Sequence, residues 1–219
     1  MTDKTNHLIP VLIFAGITLT VGLIGILYLL MEDKASKSEI RAESHAPRRI
    51  DVPPLHAVPD FRFAKSRGGE ISKESLRGKI WVVDFMFTTC PTICPTMTKS
   101  LAEVVRDTQD LPEVRFVSIT VDPETDTLAV LNAYAEKFAH DPARWFFVRA
   151  EADLVHDFSY RGLGIGDPDN PIVGHSARFA LIDADGRVRG FYHGIKRDKI
   201  PDVDELKEDL RELSARGGR

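Results

Sequence analysis

Cysteine is scarce. The 219-residue chain has two, Cys90 and Cys94, which excludes a multi-disulfide scaffold and leaves at most one very small intrachain loop to close. Excess positive charge is missing as well: 29 Lys and Arg stand against 33 Asp and Glu, a formal net charge of −4. Neutralising phosphate requires a basic face, so no nucleic-acid partner is expected. No G-x-G-x-x-G and no P-loop follows the first buried strand, so nucleotide binding has no support. Internal repeats and low-complexity segments are absent. What is there is the balance of a globular protein, 43% hydrophobic and 28% charged, in a chain of a length that suits one ordinary domain.

One long apolar run stands out. Leu8 to Met31 carries no charge, and as a helix it would be about 36 Å long, enough to cross a hydrocarbon core with some tilt. Pro10 falls in its first turn, where proline is tolerated. A cleaved signal peptide has a shorter apolar region and a small-residue cleavage site. Here Met31-Glu32-Asp33-Lys34 follows at once, so an uncleaved signal-anchor is expected over 8–31, behind a stub at 1–7. Lys34, Lys37 and Arg41 flank its far end against Lys4 at the near end. That count leans toward a cytoplasmic C-terminal domain, although large domains translocate regardless of flank charge. Residues 32–53 mix both signs with little apolar content and read as a tether.

The part from 54 to 216 alternates between strand and helix patterns. Phe61–Phe63, Gly68-Gly69 and Glu70-Ile71 predict a hairpin. Ile80 to Phe87 is nearly continuous in apolar residues, the mark of a strand covered on both faces. A helix is expected over Met97–Asp107, a strand over Val114–Val121, a helix over Thr127–Phe138, a strand over Trp145–Val148 and a short helix over Asp153–Tyr160. Arg178–Asp183 and Val188–His193 predict an antiparallel hairpin, and Asp202–Ser214 a closing amphipathic helix. The βαβ units imply parallel strands with right-handed crossovers, so the fold class is α/β.

Chemistry concentrates in Thr88-Thr89-Cys90-Pro91-Thr92-Ile93-Cys94-Pro95-Thr96-Met97, between the end of a buried strand and the start of a helix. Ligands bind at that end of an open α/β sheet, and a helix N-terminus lowers a nearby thiol's pKa. Two soft sulfurs at C-x-x-x-C spacing can converge on one ion or on each other. An ion there needs a distant third donor. The best candidate is His175 in Val173-Gly174-His175-Ser176, just before the strand Arg178–Asp183. His45, His56, His140, His156 and His193 lack such a context. Met86 reads as core. Met97 is a candidate auxiliary donor, with helix packing as its plainer role. Asp122 and Asp126 are candidates to face the same rim; the plainer reading is a turn followed by a helix N-cap at Asp126, with Asp122 able to tune the site.

These segments, with Val117 to Thr127 and Leu181-Ile182-Asp183-Ala184-Asp185-Gly186-Arg187, resemble the Sco/SenC family of copper-binding proteins over roughly residues 55–214. The resemblance implies a thioredoxin-like fold with a peroxiredoxin-style N-terminal hairpin, preceded by one transmembrane helix. It implies copper held by Cys90, Cys94 and His175. It also implies a role in maturing the copper site of cytochrome c oxidase, with that oxidase's copper-site subunit and an upstream periplasmic copper donor as partners. The domain would then face the periplasm from a bacterial inner membrane. The competing class is a tethered thiol–disulfide oxidoreductase, which needs only Cys90 and Cys94. A peroxidase fits less well, because the chain has no further cysteine to resolve an oxidised Cys90.

Overall fold

The nearly unbroken apolar run around Trp81 becomes the middle of the sheet, as a strand with no wet face must. β3 (Ile80–Met86) is buried at every residue. It pairs in parallel with β4 (Val114–Thr120), from Ile80↔Val114 to Met86↔Thr120, and β4 pairs in parallel with β5 (Trp145–Arg149). Parallel neighbours cannot be joined by a tight turn. The crossovers are α1 (Ile93–Asp107) and α2 (Leu128–Glu136). On the other side of β3 lies β6 (Arg178–Ile182), antiparallel, with Trp81 opposite Ile182 and Val83 opposite Ala180. β7 (Val188–His193) pairs with β6 at that edge. At the far edge the hairpin β1 (Arg62–Lys65) and β2 (Glu70–Ser72) joins β5 antiparallel. Its turn places Gly68 at φ 88° and Gly69 at φ 73°, where a side chain would be strained. One sheet results, in the order β2-β1-β5-β4-β3-β6-β7.

The computed structural model describes residues 51, 53–138, 141–165, 177–195 and 203–219, within a compact unit that spans Arg48–Arg219. The expected stub at 1–7 and anchor at 8–31 lie outside the described residues, as does the tether at 32–53 apart from Asp51 and Pro53. Among the described residues no helix is long and apolar enough to cross a membrane.

The strand period of two sorts the core into two layers. Ile80, Val82 and Met86 face α1 and α4 (Val203–Ala215), meeting Cys94, Met97, Leu101, Leu206 and Leu210. Trp81, Val83 and Phe85 face the opposite side, with Phe63, Val155, Phe158 and Leu163. Val155 belongs to α3 (Ala152–Asp157), which runs on into a wider π turn over Phe158–Gly162. Asp84 takes the place in β3 whose alternation points to the α1 side, the one acid in that strand.

Local details depart from the sequence expectation at helix starts. α1 begins at Ile93 rather than Met97, because Pro95 sits at its third position, where a missing N–H costs nothing. Cys94 therefore lies inside the first turn. α2 is capped by Thr127, whose side chain accepts from Val130 N–H at 3.3 Å, so Asp126 is not the N-cap. α3 is preceded by Glu151 and begins at Ala152, which puts Asp153 inside it.

The far end of α1 is closed by a residue distant in sequence. Arg144 is buried and its guanidinium donates to Thr108 O at 2.7 Å and Val105 O at 3.3 Å. A cation on the last carbonyls of a helix complements its dipole. Arg144→Met should lower unfolding stability by about 2–4 kcal/mol, since buried carbonyls lose charged donors; urea denaturation measures it, and an unchanged midpoint would contradict this account.

Candidate metal centre

β3 ends at Met86, and the last sheet bond runs from Val121 N–H to Met86 O at 2.9 Å. The chain then turns through Phe87, Thr88 and Thr89, and Cys90 N–H closes the turn on Phe87 O at 3.3 Å. Thr92 precedes α1 without making a side-chain cap bond. The first N–H groups of the helix are thus left for another acceptor, and the Cys90 sulfur takes that place. Cys94 N–H donates to Cys90 Sγ at 3.4 Å.

The two thiols, both unbridged, are pulled in opposite directions. Both are nearly buried, Cys90 at 6% and Cys94 at 4% exposure. Burial pushes the Cys90 thiol up, but the N–H groups of Cys94, Thr92 and Ile93 and the thiol of Cys94 outweigh it, so its pKa falls below the ordinary value. Burial also pushes Cys94 up, to about 12. A bond from Phe87 relieves this in part, while the hydrogen bond to the Cys90 sulfur and the charges of Cys90 and Asp84 add to it. Cys90 is the thiolate-forming member, and Cys94 keeps its proton and hydrogen-bonds through it to the Cys90 sulfur.

A polar seam runs under the pair. Asp84 Oδ1 accepts from Ser118 Oγ at 2.6 Å, and Ser118 Oγ accepts from Trp145 Nε1 at 2.9 Å. Asp84 Oδ2 is buried and has no hydrogen-bond partner among the described residues. Burial raises this carboxyl from 3.8 to about 7, against the opposing bond from Ser118. Thr98 Oγ1 donates to Cys94 O at 2.8 Å and lies 3.1 Å from the hydroxyl of Tyr134. With the Thr98 proton so used, Tyr134 is the donor.

The expected third donor, His175, lies outside the described residues. Ala177, two positions later, is buried in the same apolar cluster as Cys90, Cys94 and Met97. Gly194 N–H donates to Ala177 O at 2.8 Å, and a Cβ added at Gly194 would stand 3.0 Å from Met97 Cγ and 2.8 Å from Phe179 Cζ. The chain leaving 166–176 therefore joins the domain beside the first turns of α1. Among the described residues no group of three or more His, Cys, Asp or Glu is arranged to hold a metal ion.

The remaining candidates sort plainly. Met86 and Met97 are core residues. His56 Nε2 lies 3.1 Å from Gly162 O, His156 stacks on Tyr160, and His193 ends β7. His45 and His140 lie outside the described residues. Asp122 is a turn residue: its Oδ1 accepts from Thr125 N–H at 3.3 Å and its carbonyl accepts from Asp126 N–H. Asp126 reaches instead to Thr88. Asp84 was open to detection, as the single acid inside an apolar run. The tie from Asp126 to Thr88 was not, because the two lie 38 positions apart.

The family described as SCO1/SenC matches residues 52–211. The mitochondrial SCO2 homolog of Bos taurus is 31% identical over 86% of this chain and 69% of its own length. Among solved structures, BsSco, described as a Sco-family cytochrome c oxidase assembly protein with a disulfide switch, is 30% identical over 74% of this chain and 96% of that one, with a TM-score of 0.64. Arabidopsis thaliana ScoI, solved with copper bound, is 25% identical over 73% and 99%, with a TM-score of 0.57.

Two measurements follow from the site's electrostatics. In the reduced protein at pH 8, iodoacetamide should modify Cys90 at least about tenfold faster than Cys94; peptide mass spectrometry reads the order, and equal rates would contradict the asymmetry. For Asp84, the unfolded carboxyl ionises near 3.8 and the folded one near 7. Between those values the folded state holds the extra proton, so stability falls as pH rises from about 4 to about 7 and then levels. Asp84→Asn should abolish that fall and leave the variant more stable than the parent at pH 8, by on the order of 2–4 kcal/mol. Parallel stability–pH curves for the two proteins would count against it.

Proposed function

This chain belongs to the SCO1/SenC family, and from that premise we propose that it is a membrane-tethered copper chaperone, taking copper as cargo on Cys90, Cys94 and His175 and assisting assembly of the copper site of cytochrome c oxidase. The observation that carries this is the pair of free, adjoining thiols at the β3–α1 junction, one activated and one holding its proton. Thiolate sulfur is a soft donor and suits Cu(I), and imidazole suits copper as well. Copper in the Arabidopsis relative and oxidase assembly in the description of BsSco support the same reading. The anchor at 8–31 would hold residues 54–216 on the periplasmic face of a bacterial inner membrane, within reach of a copper donor and of the oxidase's copper-site subunit.

Each residue then has a task. Cys90, stabilised as a thiolate by the start of α1, receives the ion first. Cys94 follows with release of its proton, so loading is coupled to pH. His175 would supply the third donor; it stands two positions before Ala177 in the sequence, a stretch of chain spanning at most about 7 Å. Two sulfurs and one nitrogen leave coordination positions open, through which ligands of the acceptor replace Cys90, Cys94 and His175 stepwise. Exchange with a protein disulfide would oxidise the pair to its own disulfide, pass two electrons and two protons to the partner's cysteines and remove both thiolates, so redox state gates loading.

The second reading is thiol–disulfide exchange with cysteines of a protein substrate. The unequal thiols favour it: Cys90 would attack and Cys94 would resolve the mixed disulfide. A copper titration of the reduced chain separates the two. The parent should take one copper with thiolate-to-copper absorption. His175→Ala should hold it at least about tenfold more weakly while reducing an insulin disulfide at the parent's rate. Equal copper retention would overturn the ligand set, and rapid insulin turnover by the copper-free parent would put exchange ahead of delivery.

A further inference from the structure

The turn that presents Cys90 lies beyond the last sheet bond of β3, yet it is tied to a second part of the chain. Asp126, in the loop between β4 and α2, is fully buried. Its carboxylate accepts from Thr88 N–H, at 3.0 Å to Oδ2 and 3.3 Å to Oδ1, and from the Thr88 hydroxyl. Thr120, the last residue of β4, donates its hydroxyl to Oδ2 at 2.6 Å. Asp126 is itself held, since its N–H donates to Asp122 O at 2.9 Å and the next residue caps α2. Thr120 Oγ1 in turn accepts from Asp122 N–H at 3.0 Å. A buried carboxylate has room for several donors, and here both donors of one threonine converge on it.

We propose that Asp126 is the positioning residue of the cysteine turn: by taking both donors of Thr88 it fixes the chain two residues before Cys90 and so keeps Cys90 Sγ against the N–H groups that open α1. Charge-assisted bonds of this kind are about twice as strong as neutral ones, and a site held by rigid neighbours keeps its geometry. Here the neighbours are the end of β4 and the start of α2. The inference rests on the reading of Cys90 as a working thiol.

The test uses the reduced full-length chain in detergent and iodoacetamide at pH 7, with alkylation of each cysteine followed by peptide mass spectrometry. Asp126→Ala and Thr88→Val should each slow Cys90 at least about fivefold, since the thiolate loses alignment with its donors. Cys94 should change less than Cys90, and Thr88→Ser, which keeps the hydroxyl, should match the parent. Circular dichroism checks folding. Should Asp126→Ala not fold, the two Thr88 variants decide. A folded Thr88→Val protein whose Cys90 reacts at the parent's rate would overturn the proposal, and so would a parent in which Cys90 is no more reactive than Cys94. Copper titration of the parent reads the chaperone assignment separately: loss of copper binding with the Thr88 effect intact removes that assignment and leaves the positioning role standing.

Discussion

The sulfur of Cys90 rests on the opening N–H groups of α1, and the chemistry of the site depends on that contact. A helix start has donors without helical acceptors. Thr92 leaves them free, and Cys90 arrives from the end of β3 at the right place to accept them. The strand must be central and buried for its end to sit under the helix, which is why the sheet places β3 between β4 and β6. It must also stop where it does. Past Met86 the chain leaves the ladder and is held by loop bonds instead.

The same contact makes the two cysteines unequal. Donors lower Cys90, while Cys94, one turn into the helix, is raised by burial and by the sulfur it donates to. Asp84 beneath them adds to the difference. A carboxyl in an apolar layer with one oxygen unpartnered among the described residues is costly, and the chain keeps it on the face that carries the cysteines. The domain thus gives up stability near neutral pH on the face that carries its two thiols, a trade common at functional sites.

The family match, the sheet order and the site agree on one kind of molecule. The apolar cluster that buries Cys90 and Cys94 also buries Ala177, so β6, which pairs antiparallel with β3, starts in the same layer of the core as the two sulfurs.

Much of this was legible in residue order. The buried runs around Trp81 and Phe116 announced parallel strands, because a strand covered on both faces has no polar period to show. The spacing of Leu101, Val104 and Val105 announced a helix. The sequence by itself determined that the only two sulfurs able to form thiolates stand four positions apart between a strand and a helix, since local periodicity and spacing suffice for that. It also carried the resemblance on which His175 rests. Only the tertiary structure decided which thiol is activated, that α1 starts early enough to enclose Cys94, that Asp84 is buried with one oxygen unpartnered among the described residues, and that Asp126 holds Thr88 instead of capping a helix. Those outcomes depend on burial and on hydrogen bonds between residues tens of positions apart, and no local pattern records where a distant donor will arrive.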